Sequence, residues 1–214
     1  MNRSFVLAVI FLMGMAGPSF AGIFTGVGGD ADFFPRSGPI GSIFMVPVLN
    51  QENVSGSLGY GFEGVIGWSD LSFSLKYGRQ GSLLLGGIGI RKKILGEDNM
   101  PFSCALLYDV DGTSAENIST SGSYLGAIFS KRLDKISPYI AVLSTTYYIR
   151  TDFGVGPITY QYIYGSGLAG GARYDYDNNW SIRGEFDYNV LATKPTMPWP
   201  KSVMSVVVAG SYKI

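Results

Sequence analysis

The stretch Gly165-Ser166-Gly167-Leu168-Ala169-Gly170-Gly171-Ala172-Arg173-Tyr174-Asp175-Tyr176-Asp177-Asn178-Asn179-Trp180-Ser181-Ile182-Arg183-Gly184-Glu185-Phe186-Asp187-Tyr188 reads as a β-hairpin. Its middle, Asp175 to Asn179, is rich in turn-forming Asp and Asn. On either side, small or polar residues alternate with apolar ones at the period of two that an extended chain produces. A turn centred on Asp177 sets Gly165, Gly167, Ala169 and Gly171 opposite Asn189, Asp187, Glu185 and Arg183, with Leu168 opposite Phe186 and Ala172 opposite Ile182. One face is then polar and the other apolar. On the apolar face Tyr174, Tyr176 and Trp180 gather near the turn, and Tyr160, Tyr162, Tyr164 and Tyr188 gather at the far end. The ten residues from Tyr164 to Tyr174 span roughly 33 Å along a strand, or about 25 Å across a bilayer at a tilt near 40°. These seven aromatics are the expected girdle residues.

A soluble barrel or sandwich with an aromatic core is the competing reading of this pattern. Against it stands the placing of glycine opposite long charged side chains, which is useful in a confined interior and serves nothing in open water.

Working outward, the same alternation recurs. Leu71, Phe73, Leu75 and Tyr77 alternate with Ser72, Ser74, Lys76 and Gly78, and Leu58, Tyr60, Phe62, Ile66 and Trp68 share one parity. Phe102, Cys104, Leu106 and Tyr108 share another, as do Met204, Val206, Val208, Tyr212 and Ile214. Residues 83–92, 124–131 and 139–149 are apolar on both parities, so their facing stays open. The pattern predicts ten strands, near residues 40–48, 55–67, 70–78, 82–92, 101–109, 121–131, 138–149, 158–173, 180–190 and 202–213, with eight or twelve as the neighbouring alternatives. Connections are compact at 68–70, 133–137 and 175–179, and longer and polar or Pro-rich at 110–120, 151–157 and 191–201. Short turns at one end and longer loops at the other are characteristic of a transmembrane barrel, although 78–81 is short for an outer loop and 93–100 long for an inner turn. The fold class expected is all-β, an antiparallel transmembrane up-and-down β-barrel.

The beginning of the chain carries a different signal. Asn2 and Arg3 precede an apolar run over residues 5–15, and Gly17-Pro18-Ser19-Phe20-Ala21 follows with small residues at 19 and 21. This is the pattern of a cleaved secretory leader, and the run is shorter than the roughly 20 residues a spanning helix needs. Residues 1–21 are therefore expected to be a signal peptide, with Gly22 as the mature N-terminus and residues 22–214 as one barrel domain. Thirty glycines in 214 residues disfavour long helices, because Gly costs roughly 1 kcal/mol relative to Ala inside one. With 16 basic and 16 acidic residues and no basic stripe, nucleic acid is excluded as a partner. The single cysteine, Cys104, has no internal disulfide partner and is expected to be a buried thiol.

The hairpin quoted above resembles the closing strands of the small OmpA- and OmpX-like bacterial outer-membrane barrels. Residues 202–214 are similar to the C-terminal assembly signal of that family, with Val208 and Tyr212 at suitable alternate positions, although Ile214 stands where such proteins usually end in Phe or Trp. The likeness covers most of the mature chain as a pattern and is specific over its last fifty or so residues. It implies an integral protein of the Gram-negative cell envelope. Its partners would be outer-membrane lipid and lipopolysaccharide, together with the barrel-assembly machinery during biogenesis.

No histidine is present, which removes the usual general base for a Ser nucleophile and the commonest transition-metal ligand. By that resemblance, the outer-membrane barrel enzymes are proteases, phospholipases and lipid A deacylases or acyltransferases that rely on His, so a non-enzymatic chain without cofactor or metal is expected. Glu185 and Asp187 could in principle act as an acid-base pair, but paired interior charges more simply neutralise one another. The glycine runs at 26–29 and 86–89 lack the strand-turn-helix context and Lys-Ser/Thr pair of a phosphate loop; glycine also serves crowded interior positions. Asp109-Val110-Asp111-Gly112-Thr113 resembles part of a calcium loop but lacks the other ligands, and is expected to be an exposed loop. The interior is expected to hold a charge network of Glu63, Lys76, Arg173, Arg183, Glu185, Asp187 and Lys213 that blocks the lumen. Three function classes follow: a structural or surface-contact barrel, a narrow porin-like channel for small solutes or apolar molecules, and a soluble secreted ligand-binding barrel.

Overall fold

The computed structural model describes residue 31 and residues 40–50, 57–80, 83–98, 100–114, 116, 118–152, 154, 156–194 and 201–213. The leader, its cleavage point and Gly22 lie outside these residues. Ten strands are described: β1 (Ile40–Asn50), β2 (Ser57–Trp68), β3 (Leu71–Gln80), β4 (Leu83–Leu95), β5 (Ser103–Ser114), β6 (Ile118–Ser130), β7 (Ile136–Thr151), β8 (Thr159–Asp175), β9 (Trp180–Lys194) and β10 (Lys201–Lys213). Each pairs antiparallel with its neighbours in sequence, and β1 pairs with β10, so the sheet closes into a barrel without a free edge. Following paired residues from Glu63 forward through β3 to β7 reaches Ile163 on β8; going back through β1, β10 and β9 reaches Asp175. That stagger of twelve residues over ten strands tilts the strands about 40° from the barrel axis and sets the wall about 10 Å from it.

Strict alternation decides what faces where. Along β7, Tyr139, Ala141, Leu143, Thr145 and Tyr147 are buried, while Ile140, Val142, Ser144 and Thr146 are exposed. The three segments apolar on both parities thus acquire a facing: β4 turns Leu85, Gly89 and Arg91 inward and Leu84, Ile88 and Ile90 outward, and β6 turns Tyr124 and Ile128 inward and Leu125 and Phe129 outward. On β3, Ser72 and Lys76 are inside and Phe73, Leu75 and Tyr77 outside. Cys104 lies on the outward parity of β5, yet it is buried and unpaired beside Leu95 and Phe129, where β4 shifts register between Lys93 and Leu95.

The turns at one end are tight. Ser69 and Asp134 adopt positive φ, 49° and 54°, in the β2–β3 and β6–β7 connections. Between β8 and β9 the Asp177 carboxylate accepts hydrogen bonds from the amides of Asn179 and Trp180, both at 2.7 Å, and Tyr176 N donates to Trp180 O at 3.0 Å. That side-chain cap centres the turn on Asn178 instead of Asp177. The hairpin register therefore differs by two residues from the sequence expectation: Gly167 lies opposite Asn189, Ala169 opposite Asp187, Gly171 opposite Glu185 and Arg173 opposite Arg183. Leu168 faces Tyr188 and Ala172 faces Gly184. Each strand keeps its inward and outward faces, because an offset of two residues preserves the period-two alternation. A second difference is at residues 110–114, which extend β5 instead of opening a loop.

Candidate functional site: the barrel interior

The distribution of side chains is inverted relative to a soluble protein. Glu63, Lys76, Asp109, Arg183, Glu185 and Asp187 are each 3% exposed, whereas Leu75 is 66%, Ile88 61% and Leu125 60% exposed. The interior is where polar chemistry is concentrated.

On the β2–β5 wall, Glu63 and Lys76 are direct cross-strand neighbours. The Lys76 ammonium donates to Asp109 Oδ2 at 2.6 Å. Lys76 is on β3 and Asp109 on β5, so the pair reaches across β4, and glycine makes that reach feasible. A Cβ at Gly89 would run into the Asp109 carboxylate and Ser74 Oγ, and one at Gly87 would lie 3.0 Å from Asp111 Cβ. A cavity of about 10 Å³, bordered by Glu63, Lys76, Arg91 and Asp109, is large enough for roughly one water.

The opposite wall repeats the device. Tyr139 on β7 donates to Glu185 Oε2 on β9 at 2.5 Å, passing over Gly171 of β8, which is paired with both. Higher up, Tyr147 on β7 leans over Gly122 of β6 and donates to Tyr124, their rings meeting edge to face at 5.5 Å. Thr113 and Thr120 share a hydrogen bond of 2.7 Å above them. Towards the turns, Arg173 forms an ion pair with Asp175 at 2.9 Å, and Asp175 lies 3.6 Å from Arg132.

Of the seven residues expected in the interior network, Glu63, Lys76, Arg173, Arg183, Glu185 and Asp187 are placed inside, on β2, β3, β8 and β9; the Lys213 side chain lies outside the described residues. Arg173 and Arg183, expected two positions apart in register, are direct neighbours. Three charged interior residues among the described ones were missed. Asp109 and Asp111 belong to the segment read as an exposed calcium-like loop; that reading is corrected, because the segment is strand and Asp109 is buried. Arg91 faces inward on β4. The parity of Leu107, Asp109, Asp111 and Thr113 held the signal. Among the described residues four interior cations, Lys76, Arg91, Arg173 and Arg183, meet five carboxylates, Glu63, Asp109, Asp111, Glu185 and Asp187.

On the outside, Tyr174, Tyr176 and Trp180 are exposed near the turns, and Tyr160, Tyr162 and Tyr164 are exposed at the other end, with Tyr188 half-buried. Trp180 packs on Tyr212 at 4.7 Å, and Tyr148 stacks on Tyr160 at 5.5 Å.

No protein-family model matches the chain, and no curated protein does. Solved structures of similar architecture include Neisserial surface protein A, at 12% identity and a TM-score of 0.44, covering 82% of this chain and 96% of that one. The KdgM porin is 12% identical at a TM-score of 0.43, covering 81% and 99%. The N-terminal β-barrel domain of Pseudomonas aeruginosa OprF is 11% identical at a TM-score of 0.39, covering 82% and 98%. At such identities and scores these likenesses carry nothing about activity.

Proposed function

We propose that this chain is exported by a leader cleaved after Ala21 and resides in the bacterial outer membrane as a non-enzymatic barrel with a structural or surface-contact role. The observation that supports this most is the inversion of polarity: a closed sheet buries charges and presents Leu75, Ile88, Ile140, Val142, Leu168 and Phe186 outward. An apolar belt around a whole barrel far exceeds the few hundred Å² patches that soluble monomers expose, whereas lipid requires it. The absence of histidine and the pairing of Lys76 with Asp109 and Tyr139 with Glu185 support a role without catalysis. Surrounding lipid and lipopolysaccharide are the partners this location entails.

A narrow porin-like passage is the second reading. It is favoured by interior polar atoms that have no protein partner among the described residues, including Asp109 Oδ1, Asn189 Oδ1 and Arg183 Nη2, since such atoms are sites for water. Cell fractionation combined with heat-modified gel migration tests the first reading: the unboiled protein should sit in the outer-membrane fraction and run faster than the boiled form. Recovery as a soluble periplasmic protein would contradict it. Planar-bilayer recording then separates the two membrane readings, with negligible conductance expected for the structural barrel and stable single-channel currents for the pore.

A further inference from the structure

At the turn end of the barrel the outer rim changes character around the circumference. Over β8 to β10 it is aromatic, with Tyr174, Trp180 and Tyr212 exposed. Over β4 to β6 the rim is basic: Lys92 and Lys131 continue the outward parities of Ile90 and Phe129, and both are exposed. Two connections meet beside them. The one after β4, long for an inner turn, sets Phe102 edge-on against the outward Phe129 at 6.1 Å. Its Glu97 carboxylate accepts a hydrogen bond from the Arg132 amide in the β6–β7 turn at 2.5 Å. The connection therefore lies along the outer wall toward β6, and with the β6–β7 turn it forms a foot on which Ile94, Met100, Leu133 and Ile136 are exposed. Charge is divided in the same way. Residues 92–98 and 131–135 hold five basic and three acidic residues, a net charge of plus two, whereas residues 69–70 and 175–179 hold three aspartates and no cation.

We propose that this foot is a docking site for an anionic glycerophospholipid of the leaflet that faces the turns, which in such barrels is the periplasmic one. The proposal rests on the outer-membrane location inferred above. Exposed apolar side chains beside long flexible cations suit the boundary between hydrocarbon and headgroups, where lysine stems lie on acyl chains and the ammonium groups reach phosphate. Lys92, Lys131 and Lys135 take the phosphate and the negative headgroup, and the acyl chains lie on the outward Leu106 and Phe129, both exposed. The charge balance selects the lipid class, because a net positive foot on an otherwise acidic turn end gains from an anionic headgroup what a zwitterionic one does not supply. The turning of Glu97 toward the Arg132 amide takes the nearest carboxylate away from the lysines. It also gives the length of the β4–β5 connection a use.

The test uses the whole mature chain with Cys104→Ser, reconstituted in phosphatidylcholine vesicles that contain a minority of phosphatidylglycerol. A fluorophore on Leu133→Cys reports the local lipid through quenching by phosphatidylglycerol or phosphatidylcholine carrying a nitroxide near the headgroup. Tyr176→Cys, on the acidic β8–β9 turn, is the control. At Leu133 the anionic lipid should quench as though about fivefold enriched over the zwitterionic one, the effect of one lysine near an anionic surface, with no enrichment at Tyr176. The enrichment should vanish in Lys92→Gln/Lys131→Gln/Lys135→Gln. Should that variant not fold, the chain with its lysines intact decides: about 1 M salt, which shortens the screening length to roughly 3 Å, should remove the enrichment at Leu133. Equal quenching by the two lipids at Leu133 in an inserted barrel, or enrichment that persists in the triple variant, overturns the docking site and leaves the location standing. Disulfide-linked dimers of Leu133→Cys in the vesicles would put a second copy on this face and equally overturn it. Failure of the chain to enter vesicles at all would overturn the location and the docking site together.

Discussion

Replacing Gly171 by alanine adds one methyl group at the point where two barrel walls are joined. The new Cβ would collide with the Gly184 carbonyl and come within 2.6 Å of Tyr139 Oη. The carbonyl belongs to the paired strand β9, so it cannot rotate away, and β8 and β9 would have to move apart. Overpacking of this kind costs about 1–3 kcal/mol. Displacing the tyrosine weakens its hydrogen bond to the Glu185 carboxylate, worth about 1.5–3 kcal/mol when one partner is charged. Against this, alanine gains roughly 0.5–1 kcal/mol over glycine in a strand, leaving a net loss of about 2–5 kcal/mol. Gly184→Ala is the matched control on the same hairpin, since nothing lies within 4 Å of its Cβ, and it should be neutral or stabilising by up to about 1 kcal/mol. Urea unfolding of both variants in detergent micelles, followed by tryptophan fluorescence, measures the difference. Equal midpoints for Gly171→Ala and Gly184→Ala would refute the idea that inward glycines exist to let alternate strands touch.

The Lys76–Asp109 pair should behave as a buried ion pair: Lys76→Met or Asp109→Leu alone should cost about 3–5 kcal/mol, and the double variant should cost less than the sum of the two in the same unfolding assay. Outward Leu168→Arg should destabilise the barrel in lipid bilayers by about 2–4 kcal/mol, with a smaller loss for Tyr160→Arg at the far rim; equal losses would argue against a bilayer centred on the apolar belt. Cysteines at positions 73, 75 and 77 should react with a membrane-restricted probe and those at 72, 74 and 76 should not, and uniform labelling would remove β3 from the spanning set. Intact-mass measurement of the extracted protein should show Gly22 at its N-terminus, whereas retention of Met1 would rule out the cleaved leader.

Much of this architecture is legible in the sequence because β-strands report their facing locally. The alternation of Leu71, Phe73, Leu75 and Tyr77 with Ser72, Ser74 and Lys76 suffices to orient β3, and similar runs locate all ten strands to within a few residues at most ends. Register is less local. The two-residue slip at β8–β9 comes from the Asp177 carboxylate capping two amides, a choice that residue type alone does not determine among Asp177, Asn178 and Asn179. Contacts between alternate strands are harder still. The Lys76–Asp109 pair needs the registers of β3–β4 and β4–β5 together, plus the absence of a side chain at Gly89. Polarity misled at residues 109–113: two aspartates and a glycine suggest a loop when judged as a string, whereas in a barrel an aspartate on the inward parity of a strand is in its ordinary place.

Ten strands crossing a bilayer with their apolar faces in lipid would show themselves in polarised infrared spectra of the purified chain in oriented bilayers. The stagger of the barrel predicts amide I dichroism for strands tilted about 40° from the membrane normal, with the signal surviving high-salt and urea washes. Isotropic strand orientation, or loss of the protein from the bilayer on washing, would contradict it and leave a soluble barrel as the account to pursue.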